Sequence, residues 1–190
     1  MFNDLAVAIL ALRRGLAGGS GCPTVRRAAV IYLDVHQGDG TASIFEHDPA
    51  VLTVSLHGEN NFPFRKQRSS IDVGLPDGTG DEEYLTRLRG ILSAIAEFRP
   101  DVLFYQSGVD GLAGDRLGRL GLTHEGLRER DLSVCGFARE RGIPIVITLG
   151  GGYADPIERT AEAHANTFRA AARFFALPAT CGGGPTSFKM

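Results

Sequence analysis

Three residues of this 190-residue chain could share one divalent ion: Asp34, His36 and Asp110. Asp34 and His36 are two positions apart, so in extended backbone their side chains project to the same side. Two carboxylates and an imidazole can hold a zinc ion and leave positions open for water and substrate, as a catalytic zinc site requires. The carboxylates partly neutralise the ion, which polarises a carbonyl and activates the water. Spacing alone leaves plainer readings open. A lone D-x-H is also a common surface turn, and an Asp after a strand is often a helix cap. The run Gly150-Gly151-Gly152-Tyr153 is similarly open. It fits a tight turn, or a cradle of backbone N–H groups for a phosphate. It lacks the G-x-G-x-x-G order of a dinucleotide site. Tyr153 could aim its hydroxyl at a developing oxyanion, or simply pack.

Each of these groups follows an apolar run. Ala28 to Leu33, Val51 to Leu56, Val102 to Ser107 and Ile143 to Leu149 read as buried strands. Helical periodicity falls between them. One helix is expected from Asp81 to Phe98, with Tyr84, Leu85, Leu88, Leu92 and Ile95 on one face, acids in its first turn and Pro100 closing it. A second runs from His124 to Arg141, with Thr123 as cap and Gly142 as stop. A last one starts at Asp155-Pro156 and reaches Phe175. Near the start, Leu5, Ala8, Ile9, Leu12 and Leu16 form one helical face, and Asn3 and Asp4 stand where a signal peptide would be basic. A soluble amphipathic helix is the reading. Strands alternating with helices predict an α/β fold, an open parallel sheet with helices on both faces. Ligands of such sheets bind beyond the carboxyl ends of the strands, which is where the polar groups above fall.

The length suits one domain with a sizeable core. A formal charge of -2 gives no reason to expect nucleic-acid binding, which usually needs a basic surface. No apolar run approaches the roughly 20 residues that span a bilayer, so no membrane partner is expected. Cys22, Cys135 and Cys181 are odd in number and widely spaced, which suggests neither a disulfide framework nor a zinc knuckle. Reduced thiols and a cytoplasmic setting follow. Positive charge is almost all arginine, with Lys66 and Lys189 as the lysines.

Taken together the motifs become specific. Asp34-Val35-His36-Gln37-Gly38-Asp39-Gly40-Thr41-Ala42 resembles the metal-binding loop of histone deacetylases, and Gln37 looks most like their class IV and bacterial branch. Phe2 to Ala8, Ser55-Leu56-His57, Asn61-Phe62-Pro63-Phe64, Gly78-Thr79-Gly80-Asp81, Gly108-Val109-Asp110, Gly114 to Gly118 and Leu149 to Tyr153 follow in the family's order. The resemblance implies an arginase/deacetylase-like fold over residues 1–176, with 177–190 a loose tail. It implies a zinc-dependent hydrolase of acetylated lysine or small acetylated amines. Asp34, His36 and Asp110 would be the zinc ligands, though such a site also accepts iron or cobalt. Tyr153 would polarise the acyl carbonyl. Phe62, Gly151 and Gly152 would line the acyl channel. Asp34, His36, Ser55 and Leu56 would border a structural potassium ion, and Asp39 matches an acid that orients a catalytic histidine.

Two departures qualify the resemblance. The family carries a His-His pair, its general base and electrostatic partner, upstream of the position matching Phe2. The family also has an acid at the position of Tyr32. The expectation is therefore a domain missing its N-terminal part, with impaired catalysis, an unpaired sheet edge, and self-association through that edge. The alternatives are a non-catalytic zinc- and acyl-ligand-binding module, or a truncated product without function. Replacement of the pair by His47, His57, His124 or His164 is not expected. His47 reads as a surface turn, His124 as a helix start and His164 as a satisfied or exposed helix residue.

Overall fold

The computed structural model describes residues 3–16 and 25–175. Phe2, Cys22, Cys181 and the tail 177–190 fall outside them. In chain order the elements are α1 (Asp4–Arg13), β1 (Ala28–Tyr32), α2 (Asp39–Phe45), β2 (Val51–Gly58), β3 (Ile71–Leu75), α3 (Asp81–Phe98), β4 (Val102–Gly108), α4 (His124–Glu140), β5 (Ile145–Gly150) and α5 (Glu158–Phe175).

The strands form one parallel sheet in the order β3-β2-β1-β4-β5. The chain builds outward from β1 to β3, then crosses back and continues from β4 on β1's other side. The gap between the ends of β1 and β4 is thus the topological switch point, where sheets of this kind open a crevice for ligands.

Period-2 alternation divides the core. Ala29, Ile31, Leu33, Leu103 and Tyr105 face the α3 and α4 side, and Ala28, Val30, Val102 and Phe104 face α1 and α2. α5 packs on α4. On α3, Leu88, Ile91, Leu92 and Ile95 are buried, and each such side chain contributes about 1.5–3 kcal/mol by leaving water. Its C-cap, Arg99, takes the left-handed conformation at φ 54°, and Pro100 follows. Thr123 caps α4 by accepting the Gly126 amide at 3.0 Å.

Some expectations need correction. α2 and β3 were not anticipated. α2 is seven residues long, too short to display a helical period. β3, Ile-Asp-Val-Gly-Leu, is an edge strand with only its last residue buried, so it carries no apolar run. α5 begins at Glu158 rather than at Asp155-Pro156. α1 buries Leu5, Ala6 and Ile9 but ends at Arg13, leaving Leu16 exposed. No helix among the described residues is long and apolar enough to cross a membrane.

Candidate metal centre

β1 and β4 end side by side, and the residues just past them meet across the switch point. His36 Nδ1 lies 2.9 Å from Asp34 Oδ1 and 3.0 Å from Asp110 Oδ2. One ligand atom from each of the three residues lies within 4.8 Å of the others. Both carboxylates are buried, while the imidazole is partly open. Backbone amides hold the acids in place: His36 N donates to Asp34 Oδ1 at 2.8 Å, and Val35 N to Asp110 Oδ1 at 2.9 Å.

The electrostatics call for a cation. Hydrogen bonds donated to the Asp110 and Asp34 carboxylates raise the His36 pKa to about 10. Burial, reinforced by the Asp34 charge, raises that of Asp110 to about 6. Burial also works against Asp34, but hydrogen bonds from His36 outweigh it and the net shift is downward. Nδ1 thus lies between the two carboxylates, where positive charge offsets theirs. A divalent ion with bonds of about 2.0–2.2 Å suits the same place and donor set. Two oxygen donors and one imidazole fit zinc, and also iron or cobalt.

Glycines let the acids sit against backbone. A Cβ on Gly108 would stand 2.1 Å from Asp34 Oδ2, and one on Gly151 would stand 2.2 Å from Asp110 Oδ2. Gly151 also has φ +49°, which only glycine adopts without cost. The glycine run thus packs as a wall against the candidate ligand acids.

Tyr153 follows this wall, partly exposed, beside a cleft of about 440 Å³ that Arg116, Ala154 and Ile157 also line. Its amide donates to Asp115 Oδ2 at 2.6 Å, and Asp115 Oδ1 accepts the Leu117 and Gly118 amides at 2.8 and 2.9 Å. His164 Nε2 stands 3.1 Å from the Gly151 carbonyl, and burial lowers its pKa, so the neutral ring donates there. A second cleft of about 340 Å³ is lined by His36, Asn61, Phe62, Phe64 and Leu117. The Phe62 and Phe64 rings meet edge to face at 6.1 Å.

No hydrogen bond joins the side chains of the remaining candidates to those of Asp34, His36 or Asp110. Asp39 heads α2, where it accepts the Gly40 amide at 2.8 Å. Ser55 and Leu56 are buried on β2, and Ser55 pairs in register with Tyr32. Ser55 Oγ bonds to His57 Nδ1 at 3.0 Å. Tyr32 bonds Thr41 Oγ1 at 2.6 Å, and its ring fills the space a Cβ on Gly38 would need.

Sequence reasoning assigned no role to Arg130, a buried residue of α4. Its Nη1 donates to the carbonyls of Leu33, at 2.9 Å, and Gly108. Those two residues lead directly into Asp34 and toward Asp110. Its Nη2 donates to Ser107 Oγ at 2.9 Å. Burial opposes the guanidinium charge, but the adjoining Asp131 outweighs it and the pKa rises. Asp131 also accepts from Tyr105 OH and, at 2.7 Å, from Thr167 Oγ1. An Arg-Asp pair inside a helix pattern normally reads as a solvated face, so the signal was a charge pair on the apolar side of α4. Asp115 falls in the Gly114 to Gly118 motif and His164 reads as a satisfied helix residue, but neither's bond to the glycine run is visible in local sequence.

A family profile described as "Histone deacetylase domain" matches residues 1–170. Among curated proteins, an uncharacterized protein of Picosynechococcus sp. is 44% identical over 173 residues, covering 90% of this chain and 55% of the relative. Histone deacetylase 2 of Arabidopsis thaliana is 37% identical over 133 residues, covering 68% of this chain and 34% of the relative. The crystal structure of an acetylpolyamine aminohydrolase from Burkholderia pseudomallei superposes with a TM-score of 0.74 at 26% identity, covering 91% of this chain and 50% of the other. The chain therefore spans about half the length, or less, of the proteins it matches.

Proposed function

This chain belongs to the histone deacetylase family, and from that premise we propose that it holds the metal-binding half of a zinc-dependent hydrolase of acetylated lysine or small acetylated amines. The observation that carries the reading is the meeting of Asp34, His36 and Asp110 within one ion's reach, from two strand ends 74 residues apart. The family match and the shared fold supply the reaction class. The wider chemistry is that of the relatives' names, histone deacetylase and acetylpolyamine aminohydrolase.

A bound zinc ion would supply Lewis acidity toward the acyl carbonyl and lower the pKa of a water. The chain's own residues do the rest. Asp34, His36 and Asp110 provide the ligand set and require His36 to give up its proton. Tyr153 offers a hydroxyl donor to the carbonyl oxygen as charge develops on it. Phe62 and the Gly151-Gly152 backbone border the path of the acyl group. Asp39 would orient a catalytic histidine. Asp34, His36, Ser55 and Leu56 would hold a structural potassium ion. A cytoplasmic setting belongs to the same reading.

One observation favours a second reading. None of the four other histidines hydrogen-bonds the ligand cluster. His57 is committed to Ser55 and His164 to Gly151, while His47 lies in an exposed turn and His124 opens α4. This polypeptide by itself then binds zinc and an acylated ligand without cleaving it, the general base having to come from elsewhere. We also infer association through the β5 edge, where Val146 and Leu149 are 41% and 49% exposed.

Calorimetric titration with zinc, followed by acetohydroxamate, tests both readings, with an acetyl-lysine peptide assay run in parallel. Zinc-dependent hydroxamate binding that Asp110→Ala abolishes is the expected result. Zinc binding that Asp110→Ala leaves intact would refute the ligand assignment. Turnover by the zinc-loaded chain separates the first reading from the second.

A further inference from the structure

The loop that carries Phe62 is built around an ammonium group. Lys66 Nζ donates to the carbonyls of Asn61 at 2.6 Å, Pro63 at 2.7 Å and Glu59 at 3.2 Å. An ammonium has three donors and no acceptor, so these three carbonyls use its whole capacity. Burial lowers the Lys66 pKa, partly offset by the Glu59 charge. The ammonium is thus held by three loop carbonyls on a side chain that stays partly exposed.

The cage is tied at one end to the 117–119 loop and at the other to Gln37, the residue after His36. Asn61, itself buried, donates through Nδ2 to the Leu117 carbonyl at 2.8 Å, and its Oδ1 accepts the Arg119 amide at 3.3 Å. A Cβ on Gly58 would stand 2.4 Å from that oxygen, so glycine permits the close approach. At the other end Gln37, next to the ligand His36, makes a two-point amide pair with Gln67. Its Nε2 donates to Gln67 O at 2.7 Å, and its Oε1 accepts Gln67 N at 2.8 Å. The same Nε2 reaches Asp72 Oδ1 at 2.7 Å. Without these ties, Phe62, 62% exposed, would sit on an exposed loop with little to orient it.

We propose that Lys66 is a positioning residue whose ammonium closes the 59–67 loop and so holds Phe62 as the aromatic wall beside His36, selecting ligands with an extended chain behind the acyl group. The inference rests on the hydrolase reading for what passes along that wall. The closure itself does not.

Arginine keeps the charge of lysine but spreads its donors over a planar fork that cannot converge on one point. Lys66→Met and Lys66→Arg should therefore fail alike. Amide hydrogen exchange on the full chain reads the closure directly. In both variants the Asn61 and Gln67 amides should exchange at least about tenfold faster, with α3 and α4 unchanged. On zinc-loaded protein, an aryl-alkyl hydroxamate should bind about tenfold more weakly, the scale of re-ordering one or two side chains on binding. Acetohydroxamate, too short to reach Phe62, should keep its affinity, as should zinc.

Wild-type exchange rates in either variant would overturn the closure. Equal loss for both hydroxamates would overturn the positioning role in favour of general damage. Failure of the wild-type chain to bind zinc would remove the hydrolase reading, and with it the wall's selectivity, whereas the exchange result would still stand or fall alone.

Discussion

Replacing Arg130 by Met removes a guanidinium that is 1% exposed and bonds Asp131, the Leu33 and Gly108 carbonyls and Ser107 at once. It leaves Asp131 buried without its ion-pair partner and the Leu33 and Gly108 carbonyls without their donor. Breaking a buried pair by removing one partner costs about 3–5 kcal/mol. Tyr105, Thr167 and Ser107 still contact Asp131, so the lower part of that range is expected. For a chain of this length each kcal/mol moves Tm by about 2–4 °C, so a drop of about 6–12 °C follows. Urea unfolding followed by circular dichroism gives the free energy, and calorimetric zinc titration on the folded fraction gives the affinity. Affinity should fall as well, because the two freed carbonyls sit on the strand ends that carry Asp34 and Asp110. Replacing the pair together, as Arg130→Met with Asp131→Leu, should recover part of the stability, since no buried charge then remains. A loss below about 1 kcal/mol in Arg130→Met, the range of a surface ion pair, would refute the argument that this network is dry and structural.

Gly151→Ala should lower zinc affinity more than tenfold by calorimetry, since its methyl would stand 2.2 Å from Asp110 Oδ2 at a φ of +49°; unaltered affinity would mean that Asp110 is not a ligand. The His36 pKa is raised to about 10, above the unfolded value near 6.5, so its contribution to metal-free stability is full below about pH 6.5 and is lost as pH rises through about 10. Thermal melts of chelated protein should therefore fall across that window. Zinc should flatten the fall, because the ion replaces the proton. The same linkage predicts that zinc binding at pH 7 releases close to one proton from His36, measurable as a dependence of the binding enthalpy on the buffer's ionisation heat. Val146→Lys places a charge on the outer strand β5 and should lower the apparent mass in sedimentation velocity if that edge mediates association.

Much of the architecture is legible in the chain itself. β1, β2 and β4 are apolar runs because a parallel strand covered on both faces must be apolar throughout; β5 is equally apolar, but as an outer strand it buries none of its residues, contrary to the buried strand expected there. α3 spans the residues its periodicity marks, and Thr123 caps α4 as its type suggests. β3 and α2 were missed because an edge strand and a seven-residue helix bury too little to impose a pattern. The candidate ligand residues stand out because a metal demands particular donor atoms, because Asp34 and His36 are two apart, and because parallel sheets place such groups after their strands.

The residues that support the site were hidden because their partners are remote along the chain. Arg130 meets Leu33 across 97 positions and Asn61 meets Leu117 across 56; no local pattern records such pairings. Residue types and spacing determined which side chains could bind an ion and which edge of the sheet would carry them. Only the tertiary structure decided that β1 and β4 are neighbours, that glycines let the acids lie against backbone, and that one buried arginine and one caged lysine hold the loops. Local composition selects elements through burial and donor chemistry, whereas the distances between elements are set by packing that joins the whole chain.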